Sequence, residues 1–141
     1  MSDNQIALFT IVGSGGSGGA SGGAVGASIS NTYVAGQTVS AVRLVKKNNA
    51  GQLVYADKDS EYTVLGLSLT AGVSGANIDV MLFGEVQDGS FIWPIDTKLF
   101  LGLNGQVTAT VPLTGWRVPI GYMTGINLLK IDIDSPTYRG T

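Results

Sequence analysis

The chain has 141 residues and a mass of 14.5 kDa, enough for one domain with an ordinary core and no need of disulfides or metal staples. Charged residues make up 13% against 44% hydrophobic, and the 21 glycines are about twice the ordinary share. A net charge of −2 excludes a basic footprint for nucleic acid or an anionic membrane, while the lack of Cys and His removes thiolate chemistry, the commonest general base and the commonest zinc ligands.

Residues 1–12 are a polar start followed by the apolar run Ile6–Val12. The acidic opening and the glycine that closes this run do not fit a secretory signal, and no stretch reaches the 18 or so apolar residues of a membrane span. Residues 13–28 are Gly/Ser-rich; eight of the fourteen positions from Gly13 to Gly26 are glycine. Two readings stay open for this stretch. It is a flexible linker with a reach of about 20 Å, or it is ordered against a symmetry mate or partner. The second draws on Gly13, Gly16, Gly19 and Gly22, whose three-residue period matches an extended left-handed helix that lets backbones approach closely. Residues 1–28 are therefore expected to form an extended N-terminal arm, with Ile6, Leu8, Phe9, Ile11, Gly16 and Gly19 as partner-binding positions. Asp3 is the only charge before Arg43, so the arm can be desolvated at small electrostatic cost.

From Ile29 onward the pattern is one of strands. Candidates are Thr38–Val45, Leu53–Tyr55, Tyr62–Leu69, Asn77–Phe83, Lys98–Leu101, Gln106–Val111, Arg117–Tyr122 and Asn127–Ile133, all rich in aliphatic, Tyr and Thr residues. Turn signals fall between them at Asn48-Asn49-Ala50-Gly51, Asp88-Gly89 and Asn104-Gly105. No window holds a 3.6-residue apolar period, and the best helix candidate, Ala71–Ala76, is interrupted by Gly72 and Gly75. A repeat runs through these strands: strand, Gly-Gln turn, strand, loop, then an aromatic-led strand ending in an aliphatic-Gly step. It spans Gly51 to Gly66 in one half and Gly105 to Gly121 in the other. Residues 29–141 are thus expected to form an all-β domain, a small sandwich or barrel of about eight short strands with an internal two-fold repeat.

Tests for chemistry return little. Asp57-Lys58-Asp59-Ser60-Glu61 has oxygen ligands but lacks the glycine and distal glutamate of a calcium loop, and reads as a solvated connection. Asp132 and Asp134 alternate with Ile131 and Ile133, as on the wet face of a half-buried strand. The Gly-rich stretch has no Lys-Ser/Thr to make it a phosphate loop. Neither catalytic residues nor a cofactor or metal site are expected, and the chain is not expected to be an enzyme. Phe91-Ile92-Trp93-Pro94 is a dense apolar patch, read as core or a subunit-interface plug, with Phe91 and Trp93 as partner-binding positions and sugar stacking as the competing reading. So few charges on so small a body suggest a homo-oligomer or a component of a larger assembly.

Some of these residues carry a resemblance. Lys98-Leu99-Phe100-Leu101-Gly102-Leu103-Asn104-Gly105-Gln106-Val107-Thr108, followed by Pro112-Leu113-Thr114-Gly115-Trp116 and Val118-Pro119-Ile120-Gly121, resembles a pattern of small tailed-bacteriophage virion proteins. The segments Gly36-Gln37-Thr38-Val39-Ser40-Ala41, Tyr62-Thr63-Val64-Leu65-Gly66-Leu67 and Leu128-Leu129-Lys130-Ile131-Asp132-Ile133 are similar to the same group. The likeness covers roughly residues 33–134 and rests on turn and core positions. It implies a virion structural protein, a homotrimeric capsid decoration or head-fibre protein attached through the arm to the major capsid protein or to tail proteins. A tail-fibre or baseplate attachment module, or a carbohydrate-binding module using Trp93 and Trp116, are the alternatives. The resemblance implies no catalytic residue.

Overall fold

The computed structural model describes residues 28–60 and 63–140. Eleven strands follow in order: β1 (Ile29–Val34), β2 (Leu44–Lys47), β3 (Leu53–Tyr55), β4 (Gly66–Ser68), β5 (Asn77–Gln87), β6 (Lys98–Leu101), β7 (Val107–Thr108), β8 (Gly115–Arg117), β9 (Pro119–Gly125), β10 (Leu128–Ile131) and β11 (Thr137–Gly140). The protein is all-β. Eight strands form a curled antiparallel half-barrel in the order β3-β2-β4-β5-β10-β9-β6-β7; β1 adds to β5, and β8 and β11 pair separately.

That order is a two-fold palindrome. The path β3-β2-β4-β5 in the first half is repeated as β7-β6-β9-β10 in the second, and the halves join where β5 meets β10. The glycine spacing seen in the sequence marks equivalent points of this repeat. Gly66 pairs with Val45 of β2, and its successor Leu67 pairs with Met81 of β5. Gly121 pairs with Leu99 of β6, and its successor Tyr122 pairs with Lys130 of β10. A Cβ on Gly66 would lie 2.2 Å from the Met81 carbonyl oxygen; one on Gly121 would lie 1.8 Å from that of Lys130. Glycine is present twice because the same backbone crossing occurs twice.

The turns follow their local chemistry. At Leu103-Asn104-Gly105-Gln106 both central residues have positive φ (51° and 74°), and the Gln106 N–H donates to the Leu103 carbonyl, the mirror-image turn that suits strand twist. In the β2–β3 hairpin, Gly51 takes φ 80°, and Asn48 Oδ1 accepts from the N–H groups of Ala50 and Gln52. The chain leaving β3 then meets the β6–β7 turn: Gly105 N–H donates to Ala56, and Lys58 N–H donates to Gly102. These bonds bring the two ends of the curled sheet together.

The principal core gathers Leu44, Leu67, Phe91, Leu99, Leu101, Ile120, Met123, Leu129 and Ile131 from both halves. A smaller cluster of Ala35, Val39, Val45, Leu53, Ile78 and Val80 lies by β1, β2, β3 and β5. Several expected strand bounds are corrected. Thr38–Val45 is not one strand, because Val42 adopts φ 63° and only Leu44 onward joins the sheet. The hydroxyl of Ser68, fully buried, holds this bend by donating to Ser40 O and accepting from Arg43 N–H. Arg117–Tyr122 is split between β8 and β9, Gln106–Val111 shrinks to Val107–Thr108, and β5 runs on to Gln87. β1 and β11 lie outside the candidate strands. Tyr62, the expected start of one strand, lies outside the described residues.

Candidate apolar recognition site

β5 and the β9–β10 hairpin end side by side, and the connection from β5 to β6 folds over that end. Asp88 opens the connection: its N–H donates to Asn127 O, and its carboxylate accepts from the N–H and hydroxyl of Ser90. Phe91 N–H then donates to Asp88 O, turning the Phe91 ring into the core, where it is 1% exposed. The chain emerges as Ile92-Trp93-Pro94-Ile95 and returns to β6 through Asp96, at φ 73°, whose N–H donates to Met123 O. Across from it, Asn127 takes φ 57° in the hairpin turn and donates its side-chain Nδ2 to Phe91 O at 2.8 Å.

Ile92, Ile95 and Ile126 are 79%, 56% and 83% exposed. With Phe91, Trp93, Pro94, Gly125 and Asn127 they line a cavity of about 290 Å³ at this tip. Trp93 stacks on Phe91 with ring centroids 6.5 Å apart and planes at 25°. No lining residue is titratable. Asn127 and the Trp93 indole N–H are the polar side-chain groups in the lining, and Asn127 Nδ2 donates to the Phe91 carbonyl. The lining is apolar and uncharged, with no group suited to acid–base chemistry.

The expected site residues divide accordingly. Trp93 is half-buried and lines the tip. Phe91 is buried within its own chain, the core half of the reading given to this patch, and the exposed face belongs to its neighbours. Trp116 does not join Trp93. It sits on β8, packs on the core and meets Tyr138 of β11 with centroids 4.9 Å apart. Ile6, Leu8, Phe9, Ile11, Gly16 and Gly19 lie outside the described residues. Ile95 and Ile126 were not among the expected residues. A signal for Ile126 existed in the sequence, because a β-branched residue stands beside Asn127 in a hairpin turn where Gly, Asn or Asp is the usual choice.

The acidic loop has another use. Asp57 accepts from Asp59 N–H through Oδ1 and from Asn104 N–H through Oδ2, tying the chain after β3 to the β6–β7 turn. Lys58 pairs with Asp59 at 2.9 Å, while Glu61 lies outside the described residues. Asp132 and Asp134 are exposed, and their N–H groups donate to Ile120 O and Pro119 O. Among the described residues no group of three or more His, Cys, Asp or Glu is placed to hold a metal ion, and no helix is long and apolar enough to cross a membrane.

The hydrogen bonds from Ser90 hold the Asp88 carboxyl below the usual carboxylate value. A depressed folded-state pKa stabilises above the unfolded-state value, near 3.9, and that stability fades as pH falls through the depressed one. Asp88→Ala is therefore expected to lower stability slightly at pH 7, by about a few tenths of a kcal/mol given the solvent screening of this carboxylate, with a correspondingly small drop in melting temperature. The difference between the variant and the parent should shrink toward pH 2. Thermal melts across that range check it; a difference unchanged by pH would separate the turn's stability from the carboxylate's charge.

Compared with known proteins, the chain matches no family model, and no curated protein matches it.

Proposed function

We propose that this chain is a structural protein of a tailed-bacteriophage virion, a homotrimeric capsid decoration or head-fibre protein held to the particle through residues 1–28. The observation that carries the reading is the apolar tip. Ile92, Ile95 and Ile126 stand exposed on a chain with only eight basic and ten acidic residues. Burying such a side chain against a partner contributes about 1.5–3 kcal/mol, and repetition around a symmetric ring multiplies the gain against the cost of association. The residue-level likeness to small phage virion proteins supplies the setting, and the all-β scaffold suits a component that works by adhesion.

Copy number per particle tests it. Densitometry of purified virions should find the chain in hundreds of copies, as a shell component requires. A few copies would favour the tail-fibre or baseplate reading, and absence from particles would end the proposal. Sugar recognition by Trp93 is the weaker alternative, since stacking on a pyranose needs several flanking polar groups and the lining is predominantly aliphatic and aromatic. A glycan array with the purified protein is expected to stay blank.

A further inference from the structure

The apolar tip raises the question of what covers it. Two features of the chain answer together: where the described residues begin, and what precedes them. β1 runs antiparallel to β5 from Ile29, opposite Phe83, to Val34, opposite Asn77. Followed back from Val34 to Ile29, β1 therefore runs along β5 in the direction of Gln87, the end where Asp88 N–H meets Asn127 O and the tip is built. Four residues of strand, Phe83 to Gln87, separate the two points, about 13 Å.

The sequence outside the described residues contains a single apolar run, Ile6–Val12, and it carries no charge. The tip's lining is likewise uncharged, so an aliphatic-aromatic segment fits it and an acidic or basic one does not. The sixteen residues of 13–28 between them match the span: Gly/Ser-rich stretches of that length have a root-mean-square extent of about 20 Å, and at full extension reach about 50 Å. A tether whose extent matches its span gives an effective concentration of order millimolar, well above that of a second copy at micromolar protein.

We infer that in the free protein the segment Ile6–Val12 occupies the apolar tip formed by Ile92, Trp93, Pro94, Ile95 and Ile126 of its own chain. The inference goes beyond the virion reading and does not depend on it.

The absence of native cysteine makes the test clean. The full chain is prepared as Leu8→Cys/Ile126→Cys and oxidised mildly at micromolar concentration, with Leu8→Cys/Val73→Cys as the reference pair. Val73 is exposed in the β4–β5 connection, at the opposite end of β5. The expected result is an intrachain disulfide, seen as a faster-migrating unreduced monomer. It should form roughly tenfold faster than in the reference pair, at a rate unchanged by dilution. Phe9→Cys/Ile92→Cys should behave alike, which guards against misfolding of either variant. Mostly interchain disulfides, with rates that fall on dilution, would assign the tip to a second copy and overturn the inference. Equal rates for both pairs would also overturn it.

Discussion

Gly121→Ala is expected to abolish cooperative unfolding, leaving a chain with no near-ultraviolet circular dichroism and no calorimetric transition. Gly121 lies in β9 with β6 on one side, through Leu99, and β10 on the other, through Ile131. Its φ is 153°, and a Cβ there would sit 1.8 Å from Lys130 O and 2.9 Å from the Lys130 carbonyl carbon. The obstruction is backbone, so no side-chain rotation relieves it. β9 and β10 would have to part at the row where Ile131 also pairs with Gly84 of β5, the seam between the two halves. A loss above about 4 kcal/mol is the scale of such overlap, against a total near 5–15 kcal/mol for a domain of this size. Gly66→Ala, at 2.2 Å from Met81 O, should fail for the same reason in the other half. Gly89→Ala meets nothing within 4 Å and should melt with the parent. A Gly121→Ala protein melting within a few degrees of the parent would show that the two-fold crossing does not need glycine.

This pair of glycines shows why part of the fold was legible. Gly51-Gln52 and Gly105-Gln106 are turn chemistry, and the strands that flank them, Leu53–Tyr55 and Lys98–Leu101, are short runs that only a sheet accommodates. Local rules sufficed there, and their recurrence exposed the two-fold. Elsewhere tertiary context prevailed. β1 reads Ile-Ser-Asn-Thr-Tyr-Val with no residue fully buried, so it has no alternation to detect. Its main-chain pairing with β5 holds it, with Thr32 Oγ1 donating to Asp79 Oδ1 at 2.7 Å. The break at Val42 was equally hidden, because a β-branched residue at positive φ contradicts local preference and persists through the bonds of buried Ser68. At the candidate site, the aromatic density of Phe91–Trp93 marked the loop that the structure places at the tip. Composition alone cannot say which of two neighbouring aromatics turns inward, and the partnership with Ile126 arises only when β9 and β10 bring that turn beside it.

Deleting residues 1–28 is expected to leave a folded, cooperatively melting β-domain that no longer joins particles. Folding should survive because the buried hydrophobic residues run from Ala35 to Ile131, and every strand of the two-fold sheet begins after Ile29. The change in melting temperature should be modest for the same reason. The consequence lies at the surface. With Ile6–Val12 gone, Ile92, Ile95 and Ile126 face water in every molecule. The truncated protein should bind an apolar reporter dye more strongly than the full chain and self-associate as its concentration rises, and exposed apolar patches commonly behave this way. Adding back a peptide of residues 1–12 should reverse the dye signal, though only well above micromolar concentration, since the tether's contribution is lost. In particles, the truncated chain should be absent while the full chain is present in hundreds of copies. Full occupancy by the truncated chain would make residues 1–28 a passive tail and move the attachment surface onto the β-domain itself. Unchanged dye binding would instead leave attachment intact and detach the arm from the tip.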